Sequence, residues 1–350
     1  FDVAFQRYVV RSAFPDFTVT SYLLLTDKTA TTPTEGLNQK FQITVDDKKR
    51  KGVSVSSSLS EEDLSVKLMR RIPVDVECDL ICNTEMGNDR RGVNFIGQIK
   101  EYSKSYSNDI KIRPILKKEC RDCEFHASQE DLDNNFKSGF HECWKEQLNW
   151  TDKDFEKPNV LDIWDCRVKD KFIQQGKIKL SQFYEEDINP SFEVCDGKLC
   201  RKERQWLQIE KVRSNDTSAW IDKSGLKAEM DSWVYPLHFI DFETTAMAIP
   251  FNKGRRPYEG VAFQFSHHIV YEDGRIEHKG EYINAERGMF PNYEFVRRLK
   301  SELSQDKGTI FKYSPHENTY LNMIYEQLQT EGSIISDKEY LCDFIQEVSH

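Results

Sequence analysis

The eight residues 238–245, HFIDFETT, constrain this chain more than any other segment. An apolar run carries two acids, Asp241 and Glu243, two positions apart, and a strand alternates its side chains, so both carboxylates point to one face. Two carboxylates on one face of a buried strand repel each other and lose hydration, a combination tolerated chiefly where a cation sits with them. Oxygen donors of this kind suit Mg2+ or Mn2+, and two such ions about 4 Å apart activate a water and stabilise the leaving oxygen in phosphodiester hydrolysis. The bland alternative is a strand end whose acids face solvent or cap the next turn. The apolar residues before the pair, with Thr244 and Thr245 after it, favour the metal reading.

The surrounding pattern extends this reading. After the strand that leads into Asp241, alternation predicts strands over 261–270 and 277–283, an amphipathic helix over 293–303, a strand over 309–313 and a helix over 318–328. That order opens a ribonuclease-H-like fold. The fold class expected for the whole chain is α/β, with three parts: 1–150, the C-terminal part of a restriction-endonuclease-like domain bearing a cysteine cluster; 151–230, a helical connector; and 231–350, the N-terminal part of the ribonuclease-H-like domain.

The motif 239–245, FIDFETT, resembles the first motif of the DEDD, or proofreading-type, exonuclease superfamily, which implies that Asp241 and Glu243 hold both metals. The run from Tyr235 to Val270, with AIP at 248–250, RRPY at 255–258 and FQFSH at 263–267, resembles a bacterial family catalogued as a domain of unknown function, the 2779 family. A second exonuclease motif places an Asp near the start of a helix after a central strand. Residues 310–318, IFKYSPHEN, stand there with Glu317 in its place, and a longer carboxylate reaches a metal directly or through water. A degenerate, binding-only site is the other reading. His316 either assists or is a surface histidine at a helix start. The third motif needs a late Asp with a Tyr or His. Asp343 with Tyr340 is the local candidate, but it lies 26 positions past Glu317 (343 minus 317), too close for the intervening strands. The completing acid is therefore expected outside residues 1–350, and these residues alone are expected to be inactive.

Two other groups carry candidate chemistry. Arg255 and Arg256 offer bidentate phosphate contacts and Tyr258 a stacking surface for a base, set against a plain structural loop. Cys120, Cys123 and Cys143 form a C-x-x-C with a distant third thiol, and Cys166 is the nearest fourth. This cluster and the opening residues 2–8, DVAFQRY, resemble the C-terminal part of iron-sulfur nucleases of the CRISPR-associated and AddB type, built on a PD-(D/E)XK core. The resemblance implies that Gln6 is an active-site relic and that the acids and first cysteine of that core precede Phe1. A [4Fe-4S] cluster, a Zn2+ site and reduced buried thiols all remain open. The pairs Cys78 with Cys82 and Cys195 with Cys200 read as structural.

Elsewhere the sequence predicts a helix, turn and strand over 1–27, a loop over 28–36 and a strand over 40–45. A mobile basic and serine-rich loop follows over 48–60, then a helix near 61–71, a strand near 73–82 and a helix near 93–105. Further helical pieces are expected around 160–175 and 205–213. The first residue is not Met and no signal peptide is evident, so the chain reads as a fragment. No apolar run reaches the roughly 18 residues of a membrane span, and 31% charged residues predict a cytoplasmic protein with no membrane partner. Net charge is −10, so a nucleic acid would be held by local clusters rather than by an overall basic field. Nine cysteines, an odd count, are irregular for a disulfide framework. The function expected is a Mg2+- or Mn2+-dependent nuclease acting on DNA or RNA; the alternative is a nucleic-acid-binding or regulatory protein whose ribonuclease-H-like domain has lost turnover.

Overall fold

A computed structural model of the protein describes residues 1–89, 91–191, 199–331 and 335–349. The architecture is mixed α/β and forms two compact units, Phe1–Lys100 with Trp233–His350, and Glu101–Ser232. In the first unit residues 1–100 pack with the C-terminal third. Backbone pairing explains this association. Thr32 N–H donates to Arg255 O at 2.9 Å, Gly254 N–H returns to Thr32 O at 2.8 Å, and Gly36 N–H reaches Phe251 O at 2.7 Å.

The N-terminal part of the first unit holds α1 (Asp2–Ala13), an antiparallel pair β1 (Tyr22–Thr26) with β4 (Met69–Pro73), the hairpin β2 (Phe41–Val45) with β3 (Lys51–Val55), α2 (Asp75–Asn83) and the first residues of α3 (Phe95–Ser107). Three expectations are corrected here. The supposed mobile loop over 48–60 contains β3, because Asp46 closes a tight turn by accepting from the Lys48 and Arg50 amides at 2.9 and 2.8 Å. The helix expected near 61–71 does not form. Asp63 is instead a buried hub that accepts from Thr34, Lys40 and Ser60, and Met69–Pro73 pairs as β4. The strand expected near 73–82 is α2: Asp75 and Glu77 in the first turn suit the helix dipole, while Val74, Cys78 and Ile81 recur at helical spacing in a small core.

The C-terminal part builds a four-stranded sheet from β5 (Leu237–Thr245), β6 (Val261–Val270), β7 (Ile276–Ile283) and β8 (Ile310–Phe311), in the order β7-β6-β5-β8. The first three strands are antiparallel neighbours and β8 runs parallel to β5. Helices α4 (Asn292–Leu303), α5 (His316–Glu331) and α6 (Lys338–Ser349) supply Phe295, Leu299, Leu321, Ile324, Leu341 and Ile345 to one core with Phe242, Ala262 and Phe265 of the sheet. Burial of each such side chain contributes about 1.5–3 kcal/mol. Helix α6 lies beyond the elements expected from sequence, although its inward residues Leu341, Phe344 and Ile345 follow a helical period. Fully buried Asn292 locks the layers: its Oδ1 accepts from Ala262 N–H at 2.8 Å, and its Nδ2 donates to Gly260 O at 3.0 Å and Gln327 Oε1 at 2.7 Å.

The second unit is a set of short helices around Trp144, Val160, Ile163, Leu180, Phe183 and Ile209, including Gly139–Leu148, Lys169–Gln174, Arg201–Arg213 and Lys223–Asp231. Among the described residues, no helix is long and apolar enough to cross a membrane.

Candidate metal and nucleic-acid site

Alternation along β5 sends Ile240 and Phe242 toward the helices and leaves Asp241 and Glu243 on the opposite face. The shared face of the two acids is as the spacing requires. Its environment is not: both residues are exposed, so the cost of burying like charges, used above to argue for a metal, does not arise. Asp241 opens onto a depression of about 530 Å³ lined also by Phe239, Ser266, His268, Phe311 and Tyr313. Phe239 and Phe311 stack within it, with ring centroids 5.1 Å apart and planes 10° apart.

Glu317 lies elsewhere. It is buried near the start of α5 and lines a cavity of about 330 Å³ together with Ile240 and Phe242, the residues of β5 that alternate with the acids. Its Oε2 is buried with no hydrogen-bond partner. His316 is fixed rather than free, with Nε2 3.0 Å from Thr244 Oγ1. Among the described residues no three His, Cys, Asp or Glu side chains converge to hold a metal ion, so Glu317 does not join Asp241 and Glu243. Two carboxylates in an open, hydrated setting still fit Mg2+ or Mn2+, since Mg2+ characteristically binds through one or two carboxylates while keeping several waters.

The basic loop divides in two. Arg255 is sequestered, with Nη1 2.5 Å from Glu331 Oε1 and 3.2 Å from Glu259 Oε1, and its guanidinium carbon is 3.5 Å from the Phe290 ring centroid. Burial opposes its charge, but the hydrogen bond that it donates to Glu331 and nearby negative charge outweigh that and raise its pKa. The expectation that it contacts phosphate is therefore corrected: the fork is occupied internally. Arg256 and Tyr258 are exposed, Tyr258 in a left-handed backbone conformation (φ 60°) with the Lys28 ammonium 5.5 Å from its ring.

Cys120, Cys123 and Cys143 are half-buried free thiols at the margin of one core, and Cys166 is a buried free thiol within that core. Burial first, then Cys123 and Cys120, pushes the Cys143 thiol upward, opposing the thiolate form that a metal needs. Among the described residues no group of three or more His, Cys, Asp or Glu side chains is placed to hold a metal ion, these cysteines included. Cys78 and Cys82 are free thiols in or against the small core of α2; Cys200 is disulfide-bonded, and Cys195 falls outside the described residues. Gln6 is exposed on α1, and its neighbour Arg7 is the buried polar residue, donating to Asp79 Oδ1 at 2.7 Å.

Residues 238–348 match the family model described as Domain of unknown function (DUF2779). The DUF2779 match spans β5 to β8 and most of α6, and so includes Asp241, Glu243, Arg255, Arg256, Tyr258 and Glu317. No curated protein and no solved structure matches the chain. Within the DUF2779 region the sequence reading missed the buried pair His238 and His267, whose ring nitrogens lie 2.9 Å apart. Their signal was present: each histidine occupies an inward position of a strand, where an apolar residue is the usual choice.

Proposed function

We propose that the sheet β7-β6-β5-β8 is a ribonuclease-H-like arrangement of the DEDD exonuclease type, and that the protein is a metal-dependent nuclease hydrolysing phosphodiester bonds of DNA or RNA. The observation that carries the reading is the placement of Asp241 and Glu243 side by side on the open face of β5, an internal strand flanked by β6 and β8. Asp241 and Glu243 would hold Mg2+ or Mn2+, and the bound ion would supply a nucleophilic water and charge stabilisation at phosphorus. The protein's own contribution is positional. Stacked Phe239 and Phe311 offer apolar ring faces beside the acids, and Arg256 and Tyr258 are exposed to phosphate and base.

The test is release of nucleotides from labelled single-stranded DNA and RNA by the full-length protein with Mn2+, compared with Asp241→Ala. Loss of release in the variant supports the reading; equal release by both overturns it. Separation of Glu317 from the acid pair favours a second reading, a nucleic-acid-binding protein without turnover. For that protein the assay gives no release, while a separate measurement gives binding of the same strands that depends on Arg256. The iron-sulfur nuclease reading of residues 1–150 gains no support from exposed Gln6 and unconverged cysteines.

A further inference from the structure

Beneath the acid-bearing face, four ionisable side chains form one continuous hydrogen-bonded chain. Asp306 Oδ1 lies 2.9 Å from His238 Nε2, His238 Nδ1 lies 2.9 Å from His267 Nε2, and His267 Nδ1 lies 3.2 Å from Glu302 Oε2. The two imidazoles are buried, 2% and 0% exposed, and half-stacked with centroids 5.1 Å apart. A side-chain carbon placed on Gly308 would come 1.9 Å from Pro236 O and 2.6 Å from His238 Nε2, and one on Gly280 of β7 2.6 Å from Glu302 Oε1.

Counting protons decides the charge. Three contacts of hydrogen-bond length each need one hydrogen, and ionised carboxylates supply none. Two neutral imidazoles carry only two N–H groups, so one gap would set a lone pair against a lone pair or leave a carboxylate facing one. Three protons on two rings means one imidazolium charge over the pair. The charged groups facing the pair are Asp306 from the loop after α4, Glu302 from α4 and Lys279 from β7.

We propose that Asp306, His238, His267 and Glu302 form a one-proton latch, in which two buried histidines share a single positive charge between two carboxylates and clamp β5 and β6 to the end of α4. Two macroscopic steps follow, belonging to the pair and not to either ring. The flanking acids favour the first proton, while burial and the charge on His238 make a further proton on His267 unfavourable. It is the proton count across the three contacts that places one added proton on the folded pair. Loss of that proton at high pH breaks one gap and frees one end of the latch, three residues before Asp241.

Imidazole nitrogen NMR of the isotopically labelled chain from pH 5 to 9 tests this. The expected result is two coupled rings sharing one charge through neutrality, with amide exchange in β5 rising above the pH at which it is lost. Glu302→Gln keeps an acceptor but removes a charge, and should weaken the shared proton at least tenfold, moving its loss at least one pH unit lower. Asp306→Asn should act in the same direction from the other end, so failure of one variant to fold leaves the other. Independent titration of the two rings, two neutral rings throughout, or an unmoved titration in the folded variant would each overturn the latch.

Discussion

Thr244 Oγ1 and His316 Nε2 lie 3.0 Å apart, tying the end of the acid-bearing strand to the first residue of the helix that carries Glu317. His316→Ala removes one such bond and should lower stability by about 0.5–1.5 kcal/mol. A shift in urea midpoint with an unchanged denaturant slope is the expected record.

Arg255 and Arg256 are neighbours with opposite fates, and their alanine variants should separate them. Arg255→Ala leaves Glu331 and Glu259 without their partner in a partly buried loop, and should cost about 3 kcal/mol of stability. Arg256→Ala, at an exposed position, should change stability by no more than about 0.5 kcal/mol while weakening binding of single-stranded nucleic acid. Thermal melts and a salt titration of binding check both halves; a weaker salt dependence is expected only for Arg256→Ala.

Asn292→Ala strips three hydrogen bonds from the junction of β6, α4 and α5 and strands the Ala262 amide in the core. The expected loss is about 2–4 kcal/mol, well above that for exposed Arg256. Asn292→Asp should be comparably damaging, because Gly260 O and Gln327 Oε1 would then face a carboxylate.

Asp63 sets an acid limit on the N-terminal part of the first unit. Bonds from Lys40 first, then Thr34 and the Ser60 amide, hold its carboxyl well below the usual carboxylate range. A depressed folded pKa stabilises the protein above the unfolded value near 3.9, and that stability drains away as pH falls below it. Asp63→Asn should therefore narrow the difference between urea midpoints measured at pH 5 and at pH 3.

The sheet and its acid pair were legible because period-2 alternation is local: apolar Ile240 and Phe242 alternate with Asp241 and Glu243 whatever the rest of the chain does. Errors arose where length or partners decide. The segment around Cys78 and Cys82 is short and apolar, which fits strand or helix alike, and packing against α1 selected the helix. The lysine-rich turn near 48–51 looked like a solvated loop because Asp46, its organising acceptor, acts through backbone amides that composition does not register. Whether a carboxylate faces solvent or a core is tertiary information, so neither the openness of Asp241 nor the burial of Glu317 was readable beforehand.

Mn2+ titration of the chain followed by electron paramagnetic resonance tests the claim that Asp241 and Glu243 are cation ligands. The account predicts that wild-type protein removes free Mn2+ from solution and that Asp241→Ala and Glu243→Ala each weaken this at least tenfold. Binding unchanged in both variants, or absent from the wild type, would contradict it.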